Sequence, residues 1–285
     1  MANEATSALW ATANALSILV QDAILEYQAR YPVLSNLVRT YTLGPAQGKT
    51  TGVRRWPTLS PSALTEGTDM SQVAGTPTTV QITAAVKGIS FEVTKLLERS
   101  DVGVINAMGA QGAAVTMQQL DDDLVALLAA LNGGTTFGTT TADLTLANFL
   151  DAAAAVLSNQ AAGDLFAILH PQQVQDLIRS VGGNAGFAGT DSAMILDRYG
   201  STRGLKGPIG GIPVFESARC PTANSGADRV GAVMTADALS TALKWGVEVR
   251  TQEWVLGPST YVAATMAYGV GETADQFGAS LTTDA

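Results

Sequence analysis

Hydrophobic residues recur at helical spacing in two long segments of the chain. In the first, residues 5–30, apolar side chains at every third or fourth position predict an amphipathic helix that ends at a Tyr-Pro pair. The second runs from Ser100 to Leu131, and the Asn132-Gly133-Gly134 that follows is a typical helix stop. At about 1.5 Å per residue this second helix would be about 45 Å long, well above the average for globular proteins.

Apolar and polar residues alternate over residues 78–94, which is the pattern of a β-strand. The alternation changes phase near Gly88, and this predicts a β-bulge or a turn at that glycine. Residues from about 50 to 94 therefore indicate a long β-excursion. Its Gly-, Pro- and Ser-rich middle has too few apolar residues to fold alone.

The rest of the chain mixes helices and strands. Helices are predicted at 144–160, 171–181 and 235–243, strands at 165–170, 211–217, 230–234, 245–256 and 260–270, and a glycine-rich loop at 182–211. A Gly257-Pro258-Ser259 turn would join the last two strands. The pattern predicts an α+β fold, in which a compact α/β block precedes long terminal strands.

Charge is scarce in this chain and negative on balance. Charged residues make up 14% of the sequence, against roughly 25% in a typical soluble domain. Such a sequence favours a subunit that covers part of its surface with other chains. The formal net charge of −9 repels a phosphate backbone, so sequence-specific nucleic-acid binding is not expected.

Cysteine content and apolar run lengths exclude several further classes. Cys220 is the only cysteine, so an intrachain disulfide or a cysteine-based zinc site is impossible, and a reducing compartment is expected. No basic residue precedes the first apolar stretch, so no secretory signal is expected. The longest apolar runs are too short to span a bilayer.

Two glycine motifs resemble nucleotide-binding loops. Gly269-x-Gly271-x-x-Ala274 matches a dinucleotide fingerprint, but the 11 residues after Ala274 leave no room for the required helix and second strand. The segment 44–50, GPAQGKT, has three residues where an ATP-binding loop has four, and prolines soon after it oppose a helix. We expect a strand kink at the first motif and a turn between short strands at the second.

The ionisable residues do not form an evident catalytic set. His170, the only histidine, ends an apolar strand, and its ring is expected to satisfy a local backbone group. Asp121, Asp122 and Asp123 are adjacent on a helix, so their side chains diverge and cannot share one metal ion. That run is predicted to be solvated or to face another subunit. No catalytic residue, metal or cofactor is therefore predicted.

A polar strand face leaves two interpretations open. Glu248, Arg250 and Gln252 alternate along one predicted strand and share a face. That face either contacts water or meets polar groups of a neighbouring chain. The sequence alone does not choose between these two environments.

Four segments carry a resemblance to a known family. They are the β-excursion that leads into the long helix (64–108), the strand-Pro-helix at 166–180, the Gly-Gly-x-Pro-Val strand within 205–221, and the closing strands at 261–285. Their order and spacing resemble the major capsid proteins of tailed bacteriophages, which have the Hong Kong 97-type fold and share it with encapsulins. The resemblance covers nearly the whole chain.

The resemblance implies a division of the chain and a function. It implies an N-terminal arm (1–45), an extended loop (46–92), a peripheral domain with a spine helix (93–140 and 240–285) and an axial domain (141–239). The implied function is a non-enzymatic shell subunit that forms pentamers and hexamers around double-stranded DNA in a virion, assembled in the host bacterial cytoplasm. Implied partners are a portal, a separate scaffolding protein and a cement or decoration protein, with no membrane. Opposite charges make Arg54, Arg55, Asp121, Asp122 and Asp123 candidates for intersubunit contacts.

Two other functions stay open at this point. An encapsulin shares the same fold and encloses cargo enzymes in a small protein shell. A nucleotide-dependent or hydrolytic enzyme would instead be a monomer or small oligomer with a deep pocket near His170.

Overall fold

The computed structural model describes residues 34–57, 59–61, 63, 66–67, 69, 74–100, 103–161, 163–183, 205–254 and 257–284. The helix predicted over 5–30 lies outside these residues, as does most of the predicted 182–211 loop. The helices are α1 (Leu34–Leu37), α2 (Lys95–Ser100), α3 (Val104–Ala126), α4 (Leu146–Ser158) and α5 (Pro171–Gly183). The strands are β1 (Arg39–Thr42), β2 (Thr50–Arg55), β3 (Thr78–Thr83), β4 (Ala85–Thr94), β5 (Leu165–Leu169), β6 (Leu205–Ile209), β7 (Ile212–Glu216), β8 (Thr222–Ala223), β9 (Asp228–Thr235), β10 (Leu239–Trp254), β11 (Ser259–Glu272) and β12 (Gly278–Asp284).

The strands form two sheets and a separate hairpin. Sheet A has the order β1-β10-β11-β4, with β1 parallel to β10 and the other pairs antiparallel. Sheet C has the order β12-β9-β5-β7-β6, with β8 paired to β9. The hairpin consists of β2 and β3 and takes the place of a sheet B. The α+β architecture expected from the sequence is therefore present.

The long helix is shorter than its pattern predicts. Its α-helical part, α3, has 23 residues and is about 35 Å long. The chain continues as a tighter 3-10 segment from Leu127, and its helical backbone angles are lost at Leu131, where ψ is 143°. Asn132, Gly133 and Gly134 then adopt positive φ values of 57°, 64° and 75°, and these end the helix where the sequence places its stop.

The phase change in the β-excursion lies before Gly88, at the break between β3 and β4. Ile82 and Ala84 are buried, whereas from β4 onward the less exposed positions are odd-numbered, ending at the buried Val93. Ala84 donates its N–H to the Lys49 carbonyl oxygen at 2.7 Å, where the chain leaves the hairpin to join β11. β4 passes through Gly88 without a register shift, so the predicted bulge at that glycine is wrong.

A strand replaces the helix predicted over 235–243. β9 ends at Thr235, and Ala238 donates to the Thr235 carbonyl oxygen at 3.1 Å in a tight turn. β10 then begins at Leu239, which pairs with Glu272. Leu239 and Ala242 are fully buried in this strand, so pairing with β11 outweighs the local helix preference.

The core lies on both faces of sheet C. On one face, Phe166, Ile168 and Met234 pack in a cluster with Leu124 of α3 and with Leu128 of the 3-10 segment that follows it. On the other face, alternating residues of the same strands pack against α4 and α5. Sheet C is therefore sandwiched between helices, and α3 joins it to sheet A.

Two terminal strands pair with strands that are distant from them in the sequence. β1, in the predicted arm, pairs with β10 in sheet A. β12 follows β10 and β11 in the sequence but pairs with β9 in sheet C. The sequence does not predict these two pairings, because neither segment carries a local pattern that identifies its partner strand.

Candidate functional site

The segment that resembles an ATP-binding loop surrounds a lysine. The Lys244 Nζ donates to the carbonyl oxygens of Gly44 and Gln47 at 2.6 and 2.5 Å, and Gly48 O lies at 3.5 Å. A phosphate site needs converging N–H donors, whereas these carbonyl oxygens attract a cation. The segment connects β1 to β2, as the turn interpretation predicts.

The dinucleotide-like glycines make room for a crossing strand. A Cβ on Gly269 would lie 2.3 Å from the carbonyl oxygen of Thr83, and one on Gly271 would lie 3.0 Å from Ile82 Cγ1. Both glycines stay paired with β10 inside β11, and the chain after them leads to β12. Close approach of β3, and not a cofactor, accounts for this motif.

His170 has the local role that the sequence predicts. Its Nδ1 accepts a hydrogen bond from the Gln172 backbone N–H at 3.4 Å. Burial and the nearby Arg229 lower the pKa of His170, so the neutral imidazole is favoured. Next to it, the fully buried Gln173 bonds to His170, Arg229, Leu281 and Thr283, and joins α5 to β9 and β12.

The three aspartates diverge, as adjacent helical residues must. Asp121 is buried at 4% exposure, which contradicts a solvated face for that residue. Asp122 accepts from Arg219 Nε at 2.7 Å. Asp123 accepts from Lys87 Nζ and Tyr268 Oη, both at 2.5 Å. Asp122 and Asp123 thus each have a cationic partner in their own chain.

Asp123 connects α3 to two strands of sheet A. Burial alone would raise its pKa, but hydrogen bonds from Lys87, Tyr268 and Gln119 outweigh burial and lower the pKa. A carboxyl whose pKa is lower in the folded state stabilises the fold above its unfolded pKa of about 4. This contribution is lost as the pH falls below that value.

Replacing Asp123 by Asn is expected to lower the free energy of unfolding by about 1–3 kcal/mol at pH 7, because the charged acceptor of Lys87 is lost. The difference between wild type and variant should shrink as the pH falls below about 4. Urea denaturation at several pH values measures both effects. Asp164→Asn is a matched control, because Asp164 is exposed. A difference that does not change with pH would contradict the assigned role.

Arg54 and Arg55 point to opposite faces of β2. The Arg55 guanidinium lies 4.5 Å from the centroid of the Phe277 ring in the same chain. Arg54 is exposed and has no ion pair within the described part of the chain. The structure therefore separates the two arginines, and it does not bring either together with the aspartates in one chain. Their pairing with Asp121, Asp122 and Asp123 of a neighbour stays a prediction.

Several large hydrophobic side chains are exposed on the described part of the chain. Trp56 is 67% exposed beside the hairpin, Leu96 is 80% exposed on α2, and Trp254 is 50% exposed at the end of β10. Exposed Trp is a typical interface residue. Sequence reasoning missed these side chains, because alternation does not show which strand face stays uncovered.

The described residues contain neither a cluster of metal ligands nor a helix that could span a membrane. No group of three or more His, Cys, Asp or Glu residues there is arranged to hold a metal ion. Within the same residues, no helix is both long and apolar enough to cross a membrane.

Solved bacteriophage capsid structures share this fold, although no family model and no curated protein sequence matches the chain. The cyanophage Pam1 capsid subunit is 14% identical, with a TM-score of 0.66 over 90% of this chain and 93% of that chain. The bacteriophage PhiM1 mature capsid is 16% identical, with a TM-score of 0.65 over 87% of this chain and 85% of that chain. The capsid of Helicobacter pylori bacteriophage KHP30 is 15% identical, with a TM-score of 0.65 over 86% of this chain and 88% of that chain. The chain therefore has the bacteriophage capsid-protein fold that the sequence resemblance predicts.

Proposed function

We propose that this chain is a major capsid protein, whose copies assemble into the icosahedral head shell around a double-stranded DNA genome. One observation carries the proposal: the chain aligns with phage capsid subunits over 83–90% of its own length and 85–93% of theirs. A match over that extent is not confined to one common motif.

Surface chemistry supports self-assembly. The sequence has 14% charged residues, and the large apolar side chains of Trp56, Leu96 and Trp254 are exposed. The hairpin β2-β3 has only two strands, which is marginal for stability without a covering surface. Contacts that are each modest hold a subunit firmly when several act together.

The resemblance to capsid proteins also suggests the oligomeric state, the partners and the location of the protein. They are pentamers and hexamers, a portal, a separate scaffolding protein, a cement or decoration protein, and a place in the virion after assembly in the host cytoplasm. Enclosed DNA would be bound without sequence specificity, and the net charge of −9 would weaken its attachment to the wall. The role is structural and non-enzymatic.

The domain division is part of this proposal. Residues 1–45 would form the arm, 46–92 the extended loop, 93–140 and 240–285 the peripheral domain, and 141–239 the axial domain. β12, at the end of the chain, pairs with β9 and would connect the peripheral to the axial domain.

Expression of the full chain, followed by electron microscopy of the purified particles, tests the function. DNA-filled heads from infected cells, or empty shells of the same architecture from the isolated chain, are expected. Small shells that contain cargo enzymes would favour an encapsulin. A stable monomer under all assembly conditions would contradict the proposal.

The two arginines of β2 provide a sharper prediction. Arg54→Glu should reduce assembly with little change in subunit stability, because Arg54 is exposed. Arg55→Glu should lower the free energy of unfolding by about 1 kcal/mol, because it removes the contact with Phe277. Particle yield and urea denaturation of each variant separate the effects. Normal particle yield from Arg54→Glu would remove the role in assembly.

A further inference from the structure

A small pocket lies where β2 meets one end of sheet A. Its volume is about 140 Å³, and its walls come from β1, β2, the turn between β9 and β10, and the segment that follows β11. Pockets for drug-sized organic ligands are larger, at about 300–1,000 Å³. A water molecule takes up about 30 Å³ of the liquid, so this pocket has room for a small ion and a few waters.

The pocket concentrates positive charge in an acidic protein. Arg39, Arg54 and Arg55 line it, although Arg54 and Arg55 leave β2 on opposite faces, and Asp237 is the carboxylate among the described lining residues. Three guanidinium groups against one carboxylate give a formal charge of +2, whereas the whole chain has −9. Like charges in one pocket repel each other, and a bound anion would offset that repulsion.

The three arginines keep N–H groups available for a ligand. Arg54 is exposed and has no hydrogen bond or ion pair with any residue that the structure describes. The face of the Arg55 guanidinium lies over the Phe277 ring, and stacking of that kind leaves the N–H groups at its edge unused. Arg39 Nη2 lies 2.9 Å from Asp237 Oδ1, and this one contact engages a minority of its five donors.

A buried hydroxyl group adds a neutral donor to the pocket. Ser240 lines the pocket and is fully buried, and its Oγ accepts a hydrogen bond from Thr273 Oγ1 at 2.5 Å. The hydrogen of the Ser240 hydroxyl is therefore left for a ligand. Backbone hydrogen bonds hold these walls in place: Thr273 N–H donates to Ala238 O at 2.9 Å, and Arg39 N–H donates to Ala236 O at 3.2 Å. Donors that are fixed in advance lose little entropy on binding.

We propose that this pocket, named here the arginine pocket, binds a phosphate group through the guanidinium groups of Arg39, Arg54 and Arg55 and the Ser240 hydroxyl. Guanidinium groups bind phosphate oxygens with paired N–H donors. A charge of +2 also matches the charge of about −1.5 to −2 on a phosphate monoester better than the single charge of a carboxylate. Inorganic phosphate and the terminal phosphate of a nucleic acid share this chemistry. The inference concerns one subunit and does not depend on the proposed shell function.

Calorimetric titration of the full chain with inorganic phosphate, at constant ionic strength set with sodium chloride, tests the pocket. Saturable binding of one phosphate per chain is expected. Arg54→Gln and Arg55→Gln should each weaken it about tenfold, which corresponds to about 1.4 kcal/mol. Arg54→Gln removes no contact with a described residue, so its result stays interpretable if loss of the Phe277 contact unfolds the other variant. Arg250→Gln is the matched control, because Arg250 is an exposed arginine outside the pocket, and it should bind as the wild type does.

Asp237→Asn provides a readout of opposite sign. The Asp237 carboxylate competes with a bound anion for Arg39, and the amide of asparagine has a similar shape without the charge. Phosphate affinity should therefore rise about threefold or more in this variant. Arginines that only support the fold would not produce a gain in affinity.

A DNA duplex with 5′ phosphates, compared with the same duplex ending in 5′ hydroxyls, identifies the source of the phosphate. If only the phosphorylated duplex displaces inorganic phosphate, the pocket accepts the end of a nucleic acid. If neither duplex does, the ligand is the free ion, and both results support the pocket. Absence of saturable phosphate binding would overturn the proposal. Equal affinity in Arg54→Gln and Arg250→Gln, or weaker binding in a folded Asp237→Asn, would also overturn it.

Discussion

Gly269→Ala is expected to lower the free energy of unfolding by about 3 kcal/mol, the largest effect of any single added methyl group in sheet A. The added Cβ would lie 2.3 Å from the Thr83 carbonyl oxygen and 2.7 Å from its carbon. These are backbone atoms, so no side chain can rotate away, and β3 must move off β11. Urea denaturation followed by tryptophan fluorescence measures the loss.

The matched control for this prediction is Gly246→Ala. Gly246 lies in β10 of the same sheet, and a Cβ there would meet no atom within 4 Å. Its substitution should change stability by less than about 0.5 kcal/mol. Equal stability of the Gly269 and Gly246 variants would show that β3 does not cross β11 closely. It would also reopen the question of what the glycine motif does.

Gln173→Leu is the second large expected effect, at about 3–4 kcal/mol of destabilisation. The Gln173 amide nitrogen donates to Arg229 O at 3.0 Å, Leu281 O at 3.2 Å and Thr283 Oγ1 at 2.8 Å. The Gln173 side-chain oxygen accepts a hydrogen bond from the backbone N–H of His170 at 3.1 Å. Leucine fills a similar volume but leaves these buried groups without the side-chain partner.

Gln175→Leu supplies the comparison, because Gln175 is exposed on the same helix. Its loss of stability should be below about 0.5 kcal/mol. The same urea experiment serves both variants, and hydrogen exchange at β12 should become faster only in Gln173→Leu. A Gln173→Leu protein as stable as wild type would mean that this amide does not hold β12 in place.

Both predictions concern how separate parts of the chain are held together. Gly269 lies where the hairpin joins sheet A, and Gln173 lies where the last strand joins sheet C. Variants at these positions should change subunit stability, whereas Arg54→Glu should change particle yield.

Local patterns in the sequence determined much of the architecture. The helix stop at Asn132-Gly133-Gly134, the strand-Pro-helix around Pro171 and the turn at Gly257 all form where the sequence predicts them. Each depends on interactions within a few residues: backbone conformations that glycine allows, a proline at the first helical turn, and short-period alternation. The order of these elements also carried the resemblance to capsid proteins.

Only the tertiary structure decided the long-range features. The pairing of β12 with β9, the strand at Leu239 in place of a helix, and the crossing that explains Gly269 all depend on partners distant in sequence. The same holds for the ion pairs of Asp122 and Asp123 and for the arginine pocket. Alternation shows that a strand has two faces, but a partner's position in space decides which one is covered.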